Sequence, residues 1–161
     1  MKNKILMVCM ILGLSAAINA TYANDGATSG GADYKTVISS YITSYINTDY
    51  KLLDKIMADD ACVKIPRAET VLNHSRAKLI EQMKNNAGTQ QNCDFKYSVL
   101  DKSDAMVIAR VDFKYTEFIQ HNYLVLEKDQ NKNWKITQVC KFFEDIEPSG
   151  GTAVPAIAAT N

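Results

Sequence analysis

The sequence predicts an α+β protein in which helices gather ahead of an antiparallel sheet and pack on one of its faces. Three observations carry this. Apolar residues from Tyr34 to Ile46 recur with a helical period. After Gly88 the period changes from 3.6 to 2. The alternating segments are joined by short polar connections of the kind that make hairpins.

The first helix follows from Tyr34, Val37, Ile38, Tyr41, Ile42, Tyr45 and Ile46, one apolar stripe, with Asp33 as its N-cap. Lys35, Thr36, Ser39, Ser40, Thr43 and Ser44 form the opposite, polar face. A second, short helix starts near Asp49, buries Leu52, Leu53, Ile56 and Met57, and ends at Asp59-Asp60. Val63 and Ile65 alternate with Cys62 and Lys64 in a short strand that Pro66 halts. A third helix runs from a Ser75 cap through Leu79, Ile80 and Met83 to Gly88. Four long strands follow. Cys93, Phe95, Tyr97 and Val99 define the first, and Val107 to Tyr115 the second. Ile119–Glu127 makes the third, and Trp134 to Phe142 the fourth.

The ends of the chain have a different character. Lys2 and Lys4, an apolar run from Ile5 to Ile18 and the small residues Thr21 and Ala23 predict a signal peptide over residues 1–23. The run is short of the roughly 20 residues of a spanning helix, so cleavage without a lasting membrane anchor is expected. Residues 24–33 read as a flexible leader, 34–146 as the folded domain and 147–161 as a disordered tail. The whole chain holds 18 basic and 18 acidic side chains. Residues 1–23 contain two lysines and no acids, so the remainder carries 16 against 18, a formal charge of −2. Such a balance argues against a nucleic-acid partner. The expected location is secreted or periplasmic. There Cys62, Cys93 and Cys140 permit one disulfide in any of three pairings, or none. No CxxC, glycine-rich phosphate loop, nucleophile elbow or acidic cation loop occurs, so neither a cofactor nor a metal is expected.

Three local patterns carry a resemblance. They are Tyr41-Ile42-Thr43-Ser44-Tyr45-Ile46-Asn47-Thr48-Asp49, then Met57-Ala58-Asp59-Asp60-Ala61, and finally Asn122 to Lys128 followed by Trp134-Lys135-Ile136. In this order they resemble the nuclear transport factor 2-like superfamily, and within it the secreted bacterial lumazine-binding-like proteins. The resemblance spans about Tyr34 to Glu144. It implies a cone-like, cystatin-like fold whose N-terminal helices pack on a curved antiparallel sheet, with a ligand pocket at the open end. Because the superfamily hosts both enzymes and binding modules, the fold alone does not assign an activity.

The steroid isomerase branch needs a carboxylate base, a tyrosine and a protonated second acid. By resemblance Tyr41 matches the tyrosine, but Ile65 stands at the base position and Asn122 near the second acid. That departure removes the isomerase mechanism and leaves Tyr41 and Asn122 as groups for binding. The candidate ligand pocket is Tyr41, Tyr45, Ile65, Phe95, Phe113, Asn122 and Trp134, with core packing the competing role for its aromatic members. His74 reads as a loop histidine, His121 as a strand histidine, and Asp94 and Asp112 as solvated sheet charges.

Three functions compete. The leading one is a non-catalytic pocket protein for a small aromatic or apolar ligand. The second is an enzyme of the dehydratase, isomerase or cyclase type with His121 or Asp112 as base, pointing into the cavity near Tyr41 or Asn122. The third is a homodimerisation module pairing through an outer sheet face that bears Lys135, Thr137, Val139 and Lys141.

Overall fold

A computed structural model describes residues 32–146. The predicted signal peptide, all but the last two residues of the leader, and the tail lie outside the described residues. Asp33 caps helix α1, Tyr34–Ile46, and its carboxylate accepts from the Thr36 amide at 2.7 Å. Asp49 caps α2, Tyr50–Ile56, in the same way. The chain then enters β1, Met57–Arg67, and returns in β2, Thr70–Ser75. Ser75 caps α3, Arg76–Asn85. Four strands follow: β3 (Asp94–Lys102), β4 (Met106–Lys114), β5 (Phe118–Lys128) and β6 (Trp134–Asp145).

Three expectations are corrected near β1. Asp59 and Asp60 do not end α2; they lie inside a strand that begins at Met57. Pro66 does not halt it, because pairing with β6 reaches Lys64 and the missing amide hydrogen falls beyond that partner. On its other side Pro66 remains in register with Val71 of β2, a strand the sequence reading left out. His74 is therefore a strand residue opposite Val63, not a loop histidine.

All six strands form one sheet in the order β2-β1-β6-β5-β4-β3. Strands β3 to β6 make the expected antiparallel meander, and β1 joins β6 in parallel, so the curved sheet is mixed. The α+β cone follows from this curvature and the helices across its concave side.

The registers define the inner face. Val107, Ala109, Val111 and Phe113 of β4 lie beside Leu126, Leu124, Asn122 and Gln120 of β5. Those four lie beside Ile136, Val139, Lys141 and Phe143 of β6. Val37, Ile38, Tyr41 and Ile42 of α1 fill the concavity above, with Leu53 and Ile56 of α2. Burying each such apolar side chain contributes roughly 1.5–3 kcal/mol. Ser44, read as polar-face, is fully buried and donates to the Tyr41 carbonyl oxygen at 2.8 Å.

Helix α1 lies across β4 and β6 and leaves the edge strand β3 uncovered. Phe95, Tyr97 and Val99 share the inner face with Phe113, Val111 and Ala109, yet all three are exposed.

Candidate functional site

The inner face is apolar until it reaches the end of the cone where α1 finishes. There the β5 alternation that buries Leu126 and Leu124 continues through Asn122 and Gln120, placing two amides in the interior. Gln120 Nε2 donates to Asn122 Oδ1 at 2.8 Å and to the Tyr45 hydroxyl at 2.9 Å. Asn122 Nδ2 donates to the Val111 carbonyl oxygen at 3.4 Å. Lys141 Nζ donates to the Tyr45 hydroxyl at 3.4 Å and sits 4.8 Å from the centre of that ring.

Aromatic rings frame these polar groups. Tyr45 stacks on Phe113 at 4.6 Å between centres and on Tyr41 at 5.9 Å. Phe118 stacks on Tyr115 at 4.6 Å and reaches Phe143 at 6.1 Å on the rim. Tyr41 is fully buried, and its hydroxyl has no hydrogen-bond partner among the described residues. Burial pushes its phenol well above the ordinary range, and Tyr45 and Tyr115 push in the same direction. The Tyr41 hydroxyl therefore stays protonated and can offer or accept one hydrogen bond.

Of the seven candidates, Tyr41, Tyr45, Phe113 and Asn122 come together here. Ile65 is half-buried on β1 against the same core. Phe95 and Trp134 do not join them. Phe95 is 53% exposed, because no helix crosses β3. Trp134 packs edge-on against Tyr34, with the Lys128 ammonium over its ring, at the start of β6, remote from Lys141.

Gln120 and Lys141 were missed by the sequence reading. Gln120 was findable, since it continues the Leu126, Leu124, Asn122 alternation. Lys141 was hidden by a bulge. Leu126 pairs with Ile136 and Val125 with Gln138, so Thr137 is an extra residue and the phase of β6 flips there. Lys135, Thr137, Val139 and Lys141 therefore do not form one outer face: Val139 and Lys141 turn inward and are buried.

The histidine–aspartate pair takes the opposite side. Asp112 and His121 are cross-strand neighbours on the convex face. Each ring nitrogen of His121 faces a carboxylate oxygen, Asp112 Oδ1 at 2.7 Å and Glu144 Oε2 at 3.0 Å. Arg110 Nε donates to the same Asp112 oxygen at 2.7 Å, and Lys96 approaches the other at 3.6 Å. Both Asp112 and His121 are buried by these neighbours, so Asp112 is not a solvated charge. Burial would raise the Asp112 carboxyl, but the hydrogen bonds and charges of Arg110 and His121 outweigh it and hold the carboxyl below its usual value. Pointing away from Tyr41 and Asn122, neither residue can be the cavity base of the enzyme hypothesis.

Surface depressions among the described residues include one of about 260 Å³ on the convex face beside Arg110 and Asp112, and one of about 450 Å³ beside Tyr34 and Val99. All three cysteines of the described residues are free thiols. Burial pushes the Cys93 thiol up, with the Asp94 charge adding to it against a lowering hydrogen bond to Tyr115. No group of residues with metal-ligand geometry occurs among the described residues, and no helix there is long and apolar enough to cross a membrane.

Solved structures place the fold. A nuclear transport factor 2-like protein of unknown function from Silicibacter pomeroyi superposes with a TM-score of 0.58 at 14% identity, over 68% of this chain and 92% of that one. A nuclear transport factor 2-like protein of unknown function from Methylobacillus flagellatus gives 0.57 at 17% identity, over 68% and 88%. A ketosteroid isomerase-like protein from Erwinia carotovora atroseptica gives 0.51 at 14% identity, over 71% and 94%. No family model matches this chain, and no curated protein does. The fold is thus the nuclear transport factor 2-like, cystatin-like cone. At these identities the likeness extends to the fold and no further.

Proposed function

We propose that this is a non-catalytic binding protein for a small aromatic or apolar molecule, working in the periplasm or outside the cell. The observation that carries the reading is the Tyr41 hydroxyl, fully buried and without a partner among the described residues, on a ring that packs against Tyr45 and Phe113. A buried polar group without a partner is costly, and a ligand atom would satisfy it. The stacked rings of Tyr41, Tyr45 and Phe113 fill the interior themselves, so this reading requires the half-buried Tyr45 to move aside when a ligand binds. Binding is favoured over turnover by the inner wall, where Ile65 and Asn122 replace the acids an isomerase needs and Asp112 and His121 face the other way.

A thermal-shift series with small aromatic compounds tests the reading. A true ligand raises the melting temperature with concentration, and nuclear magnetic resonance shifts should centre on Tyr41, Gln120 and Asn122. Stabilising ligands whose shifts map only to the convex face would sink it. The location rests on Lys2, Lys4 and the apolar run before Ala23. N-terminal sequencing of the protein from the periplasm or medium should begin at Asn24, whereas an intact Met1 on cytosolic protein would refute the location.

A further inference from the structure

We infer that the molecule held at this site carries an anionic group, a carboxylate or sulfonate on an aromatic body, that pairs with Lys141. The inference rests on the small-molecule reading above and specifies its ligand. Lys141 is only 6% exposed. Lysine stems ordinarily let the ammonium reach water, and buried charges are ordinarily paired. This ammonium has no carboxylate within 4.0 Å among the described residues, where the ion pairs use Arg76, Lys96, Arg110 and His121. Its one hydrogen bond is the long contact to the Tyr45 hydroxyl. The nearest acid on the same face of β6 is Asp145, exposed and four residues on, about 13 Å along the strand.

Two further features give the missing counter-charge a shape. Lys141 Nζ meets the Tyr45 hydroxyl at 3.4 Å, and the Gln120 amide faces the same hydroxyl with its nitrogen at 2.9 Å and its oxygen at 3.0 Å, so an oxyanion that takes the place of that hydroxyl meets the ammonium and an amide free to turn its nitrogen toward it. Phe118 and Phe143, 6.1 Å apart, edge the same mouth and offer an aromatic body two ring faces. An ammonium 4.8 Å from a tyrosine ring centre, on a residue this buried, is placed to pair with an oxyanion, since charge-assisted hydrogen bonds are the stronger ones.

The probes are anilinonaphthalene sulfonate and its uncharged parent, phenylnaphthylamine, which share one aromatic skeleton. Each is titrated by fluorescence into the full mature chain at neutral pH. The sulfonate should bind at least about tenfold more tightly. Lys141→Met should abolish that preference, bringing the affinity for the sulfonate down to that for the parent. Lys96→Met, which removes an exposed cation of the convex face, should retain it. Equal affinities in the wild type, or a preference that survives Lys141→Met, would overturn the anion inference and leave the small-molecule reading standing. Saturable binding of neither probe would remove that reading and the inference with it. Circular dichroism provides a further check: a lysine kept for a ligand tolerates an apolar replacement of similar length, so a Lys141→Met chain that fails to fold also overturns the inference.

Discussion

Replacing Tyr41 by Phe deletes one oxygen from the interior and leaves the ring. The wild-type hydroxyl is completely buried and unpartnered among the described residues, while the ring lies 5.9 Å from Tyr45 and 6.4 Å from Phe113. An unsatisfied buried hydroxyl costs about 1–3 kcal/mol. The void left behind is smaller than a methyl group and gives back up to about 1 kcal/mol. Tyr41→Phe should therefore stabilise the ligand-free protein by about 1 kcal/mol, a rise of about 4 °C in melting temperature for a domain of this size. Urea denaturation followed by circular dichroism, with an unchanged m-value, measures it. The same variant should weaken any ligand that uses the hydroxyl, a trade of stability for function. A loss of more than about 1 kcal/mol would mean that the ligand-free hydroxyl has a partner, such as an ordered water, and would refute the reasoning.

Phe113→Ala removes the ring that supports Tyr45 from β4 and should cost about 3–5 kcal/mol, enough to unfold a marginal domain near its melting point; a loss under about 1 kcal/mol would show that the ring is not part of the packed interior. Asp33→Ala removes the α1 cap and should cost about 1 kcal/mol in urea, with Asp33→Asn nearly neutral. Asp112 sets an acid limb. Its folded carboxyl is held below its unfolded value of about 3.9, so its contribution is complete above that pH and is lost as pH falls through the folded value. Asp112→Asn should cost about 2 kcal/mol at neutral pH, and urea midpoints of variant and wild type should converge on acidification; a gap independent of pH would contradict the Arg110 and His121 pairing.

Local sequence made much of the fold legible because its elements are set by short-range rules. The α1 stripe and the Asp33 cap lie within one stretch of chain, and each long strand declares itself by alternation. The same rules misjudged β1. Helix α2 gives way to a strand at Met57 because strand β6 is there to pair with it, a partner 79 residues away in the sequence at Ile136. Lys141 and Asp112 were assigned to the wrong environments for related reasons, whereas His121 is the strand histidine it was expected to be. One extra residue at Thr137 inverts the facing of β6, and side chains from neighbouring strands bury Asp112 on the convex face.

The sequence by itself determined the three helices and the four strands of the meander, that helices precede the meander, and that Tyr41, Tyr45, Phe113 and Asn122 belong to inward-facing positions. Only the tertiary structure decided which inward positions are covered. Phe95 is left exposed by a helix that stops short of β3, and Trp134 is held at the other end of the sheet. It also decided that a lysine rather than an acid sits beside Tyr45. The physical reason is range. Periodicity records how a residue is oriented on its own element, whereas burial and charge pairing depend on what arrives from segments dozens of residues away.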